Sequence, residues 1–219
     1  MTNKPSAVIL TDIQKSYRKH TIFENLNLKI NEHELTTIFG KSGAGKSTIL
    51  NMIGLLEPFD AGKLILFGKP APKVRSSEAL KLRRYKISYL FQNFGLIDDG
   101  TISQNLDVGL AYVKGTRKDK QLQKQQVLKD VQLNCPLKTK IYTLSGGEQQ
   151  RVAVARLLLK PANLILADEL TGALDSENRS ILGKLLLKLR DSGKTVIVVS
   201  HDRYFEKISD QVINLADLK

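Results

Sequence analysis

The segment Gly40-Lys41-Ser42-Gly43-Ala44-Gly45-Lys46-Ser47-Thr48 limits what this chain can fold into more than any other stretch of it. It follows an apolar run from Leu35 to Phe39 that reads as a strand, and it opens an apolar run from Thr48 to Leu56 that reads as a helix. Glycines at this spacing let successive backbone N–H groups turn toward one anion, and the helix behind them adds its positive end. In the pattern G-x-x-x-x-G-K-[ST], the lysine reaches the β- and γ-phosphates and the hydroxyl ligates Mg²⁺. Here those residues are Lys46 and Ser47. The strand before and the helix after separate this loop from a chance glycine-rich turn.

The rest of the chain fits a sheet built around that loop. Ala7 to Leu10, Leu26 to Ile30, Lys63 to Phe67 and Ile87 to Phe91 read as strands, and Gly68-Lys69-Pro70 reads as a turn. Leu164 to Ala167 and Thr195 to Val199 are wholly apolar, as strands buried on both faces are. A helix from Ser176 to Asp191 carries Ile181, Leu182, Leu185, Leu186 and Leu189 on one face. Strands alternating with helices predict a parallel sheet. From Gln104 to Val131 the residues are long, polar and charged, with apolar positions at helical spacing. That stretch predicts a helical subdomain set into an α/β core.

Two further motifs carry chemistry. Asp168-Glu169 follows the buried run 164–167, which places two carboxylates at a strand end. Asp168 then suits Mg²⁺, and Glu169 suits the general base that orients an attacking water. Leu144-Ser145-Gly146-Gly147-Glu148-Gln149-Gln150-Arg151 opens a helix that runs on through Leu159. Ser145 and Glu148 have capping-box spacing. Capping does not explain two glycines in a first turn, each costing roughly 1 kcal/mol against alanine. They suit a phosphate that approaches the backbone closely.

Composition narrows the class. In 219 residues there is one cysteine, Cys135, and there are three histidines, so neither a disulfide nor a cysteine-based zinc cage is expected. No run approaches the roughly 18 apolar residues of a membrane span, and Met1-Thr2-Asn3-Lys4-Pro5 has no signal-peptide core. A cytosolic protein is expected. The net charge of +12 is densest from Lys63 to Lys86 and from Lys114 to Lys129. These stretches lack the interleaved aromatics of a base-stacking platform. They read as a solvated surface or as one drawn to acidic lipid headgroups.

Taken together, the phosphate loop, the Ser-Gly-Gly segment and the Asp-Glu pair resemble the ABC ATPase family, in order and spacing, over nearly the whole chain. The resemblance implies a P-loop NTPase core with a mixed or parallel sheet, an antiparallel β edge and an inserted helical subdomain. The core is expected over residues 1–92 and 158–219, and the subdomain over 93–157. It implies ATP and Mg²⁺ as cofactors, with the loop from Gly40 to Thr48 and the segment Ser145, Gly146, Gly147 and Glu148 binding ATP. Tyr17 resembles the family's adenine-stacking aromatic residue. Gln92 resembles the glutamine that touches Mg²⁺, beside Ser47 and Asp168. His201 resembles the histidine that contacts the γ-phosphate, and Asp175 lies in the loop that meets a second subunit. Lys46, Glu169 and His201 are thus the expected catalytic set.

Family ATPases are similar in pairing head to tail on ATP and in driving a membrane permease. This chain is expected to form such a homodimer at the inner face of the cell membrane. Gly54-Leu55-Leu56-Glu57-Pro58 and Phe91-Gln92-Asn93-Phe94-Gly95-Leu96 are similar to segments of lipoprotein-release, macrolide-export and bacteriocin-export ATPases. Export of a peptide, lipoprotein or drug is therefore expected. The alternative is an ATPase that drives an extracytoplasmic enzyme or sensor without transport. Soluble family members of DNA repair or translation carry a long coiled-coil insertion or a second ATPase domain, so nucleic acid is not an expected partner. One departure from the family pattern is Leu170, where proline usually follows the catalytic glutamate.

Overall fold

The computed structural model describes residues 4–18, 20–91, 93–169 and 176–218, with the backbone alone for 176–178. The chain begins with β1 (Ser6–Tyr17), β2 (His20–Asn31), β3 (Leu35–Phe39) and α1 (Lys46–Ile53). β4 (Ala61–Leu66), β5 (Lys69–Pro70), α2 (Ser77–Tyr85) and β6 (Ile87–Leu90) follow. Then come α3 (Ile102–Leu110), α4 (Arg117–Asp130) and α5 (Gly146–Leu159). The chain closes with β7 (Leu164–Asp168), α6 (Ser176–Asp191), β8 (Thr195–Val199), α7 (Arg203–Ile208) and β9 (Gln211–Asn214).

Five strands form a parallel sheet in the order β6-β7-β8-β3-β9. The two wholly apolar runs are its centre, with Leu166 opposite Ile197. Period-two alternation splits their side chains between two cores. Leu164, Leu166, Ile197 and Val199 face α1 and the N-terminal strands. Ile165, Ala167, Val196 and Val198 face α3 to α7. Both faces are therefore dry, and all five residues of β8 are buried.

The antiparallel strands make a sheet of their own, ordered β2-β1-β4-β5, rather than an edge of the parallel one. β1 and β2 are twelve residues each, longer than the runs Ala7 to Leu10 and Leu26 to Ile30 that sequence predicts. Register shifts between Leu10 and Ile13 and between Lys15 and Ser16 break the alternation that would have marked their full length.

The stretch from Gln104 to Val131, expected to be helical, holds two helices, α3 and α4. Gly115 at φ 146° interrupts it, and Thr116 restarts it with a capping box to Asp119. The helix expected over 48–56 spans Lys46–Ile53 and ends at Gly54. α2 was not expected. Only Ala79 of it is buried, so it has too little apolar stripe to show a period.

Candidate active site

The loop that leaves β3 turns into α1 through two left-handed glycines, Gly43 at φ 77° and Gly45 at φ 95°. A Cβ on Gly45 would stand 2.5 Å from Phe23 Cζ and 2.6 Å from Ile22 Cγ2. Both backbone conformation and space therefore demand glycine there. Gly45 also caps α1 without a side chain. By contrast α2, α3, α4, α5 and α7 start on Ser76, Thr101, Thr116, Ser145 and Asp202, each accepting a backbone N–H. The first N–H groups of α1 lack such an acceptor, which leaves them for an anion. A pocket of 310 Å³ lies over this end, lined by Ser42, Gly43, Lys46, Ser47, Thr48 and Glu169 among others. A larger apolar pocket of 590 Å³, lined by Leu55, Phe59 and Val74 among others, holds none of the predicted site residues.

Lys46 is buried, and its Nζ donates to the carbonyls of Gly40 at 2.9 Å and Lys41 at 3.1 Å. It also pairs with Glu169 Oε1 at 3.0 Å. Glu169 closes β7 at φ 42°, held by its N–H to the Val199 carbonyl at 3.0 Å. Its other oxygen, Oε2, lies 2.9 Å from His201 Nδ1. Burial pushes the Glu169 carboxyl upward, but the Lys46 and His201 contacts outweigh it and hold the group below its ordinary pKa. Glu169 is thus ionised and able to accept a proton.

Asp168 accepts from Ser47 Oγ at Oδ1, 2.9 Å away. Burial raises its pKa against the hydrogen bonds from Ser47 and Tyr89. One hydroxyl and one carboxylate are hard oxygen donors, which suit Mg²⁺. Among the described residues no group of three or more His, Cys, Asp or Glu could hold a metal.

Tyr17 stands at the rim, 43% exposed, with its Oη 3.4 Å from Thr48 Oγ1. Lys15 Nζ lies 4.7 Å from the Tyr17 ring centroid and pairs with Glu57 at 2.8 Å. The ring thus has a cation and a hydroxyl to hold it while it stays open to solvent.

The Ser145 segment is built differently. Ser145 Oγ accepts from the Glu148 N–H, and the Glu148 carboxylate accepts from both the N–H and the Oγ of Ser145, at 2.8 and 2.7 Å. Those bonds hold the Glu148 carboxyl below its ordinary pKa. Among the described residues a Cβ on Gly146 would meet nothing within 4 Å, so packing against them does not require glycine there. None of Ser145, Gly146, Gly147 or Glu148 lines the phosphate pocket. The structure therefore gathers Tyr17, the loop 40–48, Asp168, Glu169 and His201, and leaves the Ser145 segment outside. Gln92, Leu170 and Asp175 lie outside the described residues.

Several contributors escaped sequence reasoning. Arg156, near the end of α5, donates to the carbonyls of Phe94 and Gly95, each at 2.7 Å. Both acceptors are left-handed, at φ 60° and 55°. Lys160 donates to the carbonyls of Arg83 and Ile87 at 2.7 Å, and burial, then Arg156, pushes its pKa down to about 8. Tyr89 reaches Asn51 and Asp168. Its only sequence signal was its place in the run from Ile87 to Phe91 that reads as a strand, of which β6 is Ile87–Leu90.

Residues 23–172 match the model of the family described as ABC transporter. The chain belongs to that family. Its ABC ATPase relatives include the macrolide export ATP-binding/permease protein MacB of Campylobacter jejuni, 34% identical over 96% of this chain and 33% of that protein. MacB of Pasteurella multocida is 35% identical over 99% of this chain and 34% of that protein. The chain thus spans about a third of the length of these curated relatives. Among solved structures, a dimeric post-hydrolysis state of the ATP-binding cassette MJ0796 with ADP and phosphate is 35% identical at a TM-score of 0.85. It covers 94% of this chain and 93% of its own. As an ABC ATPase domain the chain is an ATPase, with the α/β fold of those cassettes. No helix among the described residues is long and apolar enough to cross a membrane.

Proposed function

We propose that this chain powers an export permease, two copies closing head to tail over two ATP molecules. The observation that carries the reading is a division within the chain. The phosphate pocket lacks the Ser145 segment, while that segment presents Gly146 to open space. A second copy supplies each pocket with what it lacks. The dimeric cassettes of similar fold support this pairing. Residues 93–157 act as the unit that presents the segment, and Asp175 belongs to the facing loop.

In the proposed reaction ATP and water give ADP, phosphate and a proton. Lys46 moves from the Gly40 and Lys41 carbonyls to the β- and γ-phosphates, and the loop amides hold the same oxygens. That transfer loosens Glu169, which orients the water and accepts its proton. His201 fixes Glu169 and faces the γ-phosphate, and Tyr17 carries adenine. Ser47, Asp168 and Gln92 hold Mg²⁺, which neutralises charge on the phosphate oxygens when bound.

A groove of 420 Å³ between α2 and α3, lined by Arg83, Arg84, Val108 and Tyr112 among others, suits a cytoplasmic helix of the permease. Leu80, Tyr85, Val108 and Tyr112 around it are exposed. The chain then sits on the inner face of the membrane. Its relatives' name points to a drug such as a macrolide as cargo, and a peptide, bacteriocin or lipoprotein fits the same machine. Gel filtration with light scattering tests the core of this. Glu169→Gln should bind ATP, stop hydrolysing and run as a dimer with ATP, whereas Lys46→Ala should lose ATP affinity on the order of 100-fold. A Glu169→Gln protein that stays monomeric in saturating ATP contradicts the proposal.

A further inference from the structure

Tyr89 lies on β6, next to β7 and opposite Leu166, two residues from the metal-suited Asp168. Its hydroxyl has one hydrogen and two acceptors in front of it: Asn51 Oδ1 at 3.0 Å and Asp168 Oδ2 at 3.4 Å. The first is an ordinary hydrogen bond and the second is a long one. Asp168 Oδ1 already accepts from Ser47, so Oδ2 has Tyr89 as its side-chain donor. The Tyr89 ring is fixed from the other side, stacked on Phe91 at 4.2 Å and 18°. Asn51 sits on α1, four residues beyond Ser47, on the same helix face. A rigid phenol thus stands between the helix that carries the phosphate loop and the strand that carries the carboxylate.

We propose that Tyr89 is a positioning residue for the metal-holding carboxylate, orienting Asp168 through Oδ2, with Asn51 as the acceptor that competes for its hydrogen. This rests on the ATPase site assigned above, and it concerns a residue outside the motifs. Groups that orient a ligating carboxylate typically matter tenfold or more in metal affinity. The competition gives the two partners opposite signs. Removing the Tyr89 hydroxyl costs Asp168 a donor. Removing the Asn51 carbonyl leaves that donor to Asp168 alone.

The test is a Mn²⁺ titration, read by electron paramagnetic resonance, on the full chain carrying Glu169→Gln with ATP bound. Tyr89→Phe should weaken Mn²⁺ about tenfold while ATP affinity in chelator stays unchanged. Asn51→Ala should keep or tighten Mn²⁺. Unchanged Mn²⁺ affinity in Tyr89→Phe overturns the inference and leaves the ATPase site intact. Equal weakening by both substitutions also overturns it, since it marks general damage to the α1–β6 contact. If the parent protein with ATP takes up no Mn²⁺, the metal assignment of Ser47 and Asp168 falls, and the role of Tyr89 falls with it.

Discussion

The two glycine-rich helix starts of this chain solve opposite problems. At α1 the glycine is internal business: Gly45 is left-handed, wedged against Phe23 and Ile22, and leaves the helix uncapped. At α5 the helix caps itself through Ser145 and Glu148, and Gly146 faces nothing. The first start needs glycine to fold. At Gly146 the second needs no glycine for packing against the described residues, and glycine there costs helix propensity. In the proposed dimer, the room at Gly146 is what the partner copy's bound ATP would use.

Aspartate at Gly146 gives the sharpest way to break that contrast. It has room, and a negative first-turn residue favours the helix end. Gly146→Asp should leave the thermal midpoint unchanged or raise it, while ATPase turnover falls on the order of 100-fold through repulsion of phosphate. Loss of folding together with activity would show that this glycine, too, is structural. The converse substitution, Gly45→Ala, should cost stability first. A left-handed residue with a Cβ costs roughly 1–2 kcal/mol. Overpacking against Phe23 adds about 1–3 kcal/mol. Urea unfolding of the nucleotide-free chain measures it.

A smaller effect is pH-dependent and is read at Glu169, on the α1 side. Glu169 is held below its ordinary pKa in the fold, so its contacts stabilise the protein above the unfolded value, about 4.3. That contribution is lost as pH falls through the lower folded value. The stability advantage of the parent over Glu169→Gln should be present at neutral pH and vanish in acid. An advantage that grows in acid would mean that Lys46 and His201 do not hold this carboxylate in solution.

The α1 side was also the more legible in sequence. Its chemistry sits in contiguous residues, so the loop 40–48, Asp168 and Glu169 could be read directly, and β8 and α6 fell on their expected bounds. What escaped notice depends on residues far apart in the chain. Arg156 meets Phe94 and Gly95 across 62 and 61 positions, and Tyr89 meets Asn51 across 38. A side chain such as Arg156 acting on backbone carbonyls leaves no motif, because any sequence supplies the acceptor, and Tyr89 and Asn51 are side chains that only the fold brings together. The break between α3 and α4 was different: Thr116 and Asp119 spell a capping box that was there to be read.

Mixing two inactive variants tests the central claim most directly. Lys46→Ala removes the phosphate lysine, and Gly146→Asp blocks the segment that closes the other chain's site. In a head-to-tail pair of one each, both lesions fall in the same site and the second site is intact. The account predicts that each variant alone hydrolyses almost no ATP, and that an equal mixture recovers hydrolysis. A mixture as inactive as its parts would contradict it, since each chain would then need both motifs for its own site.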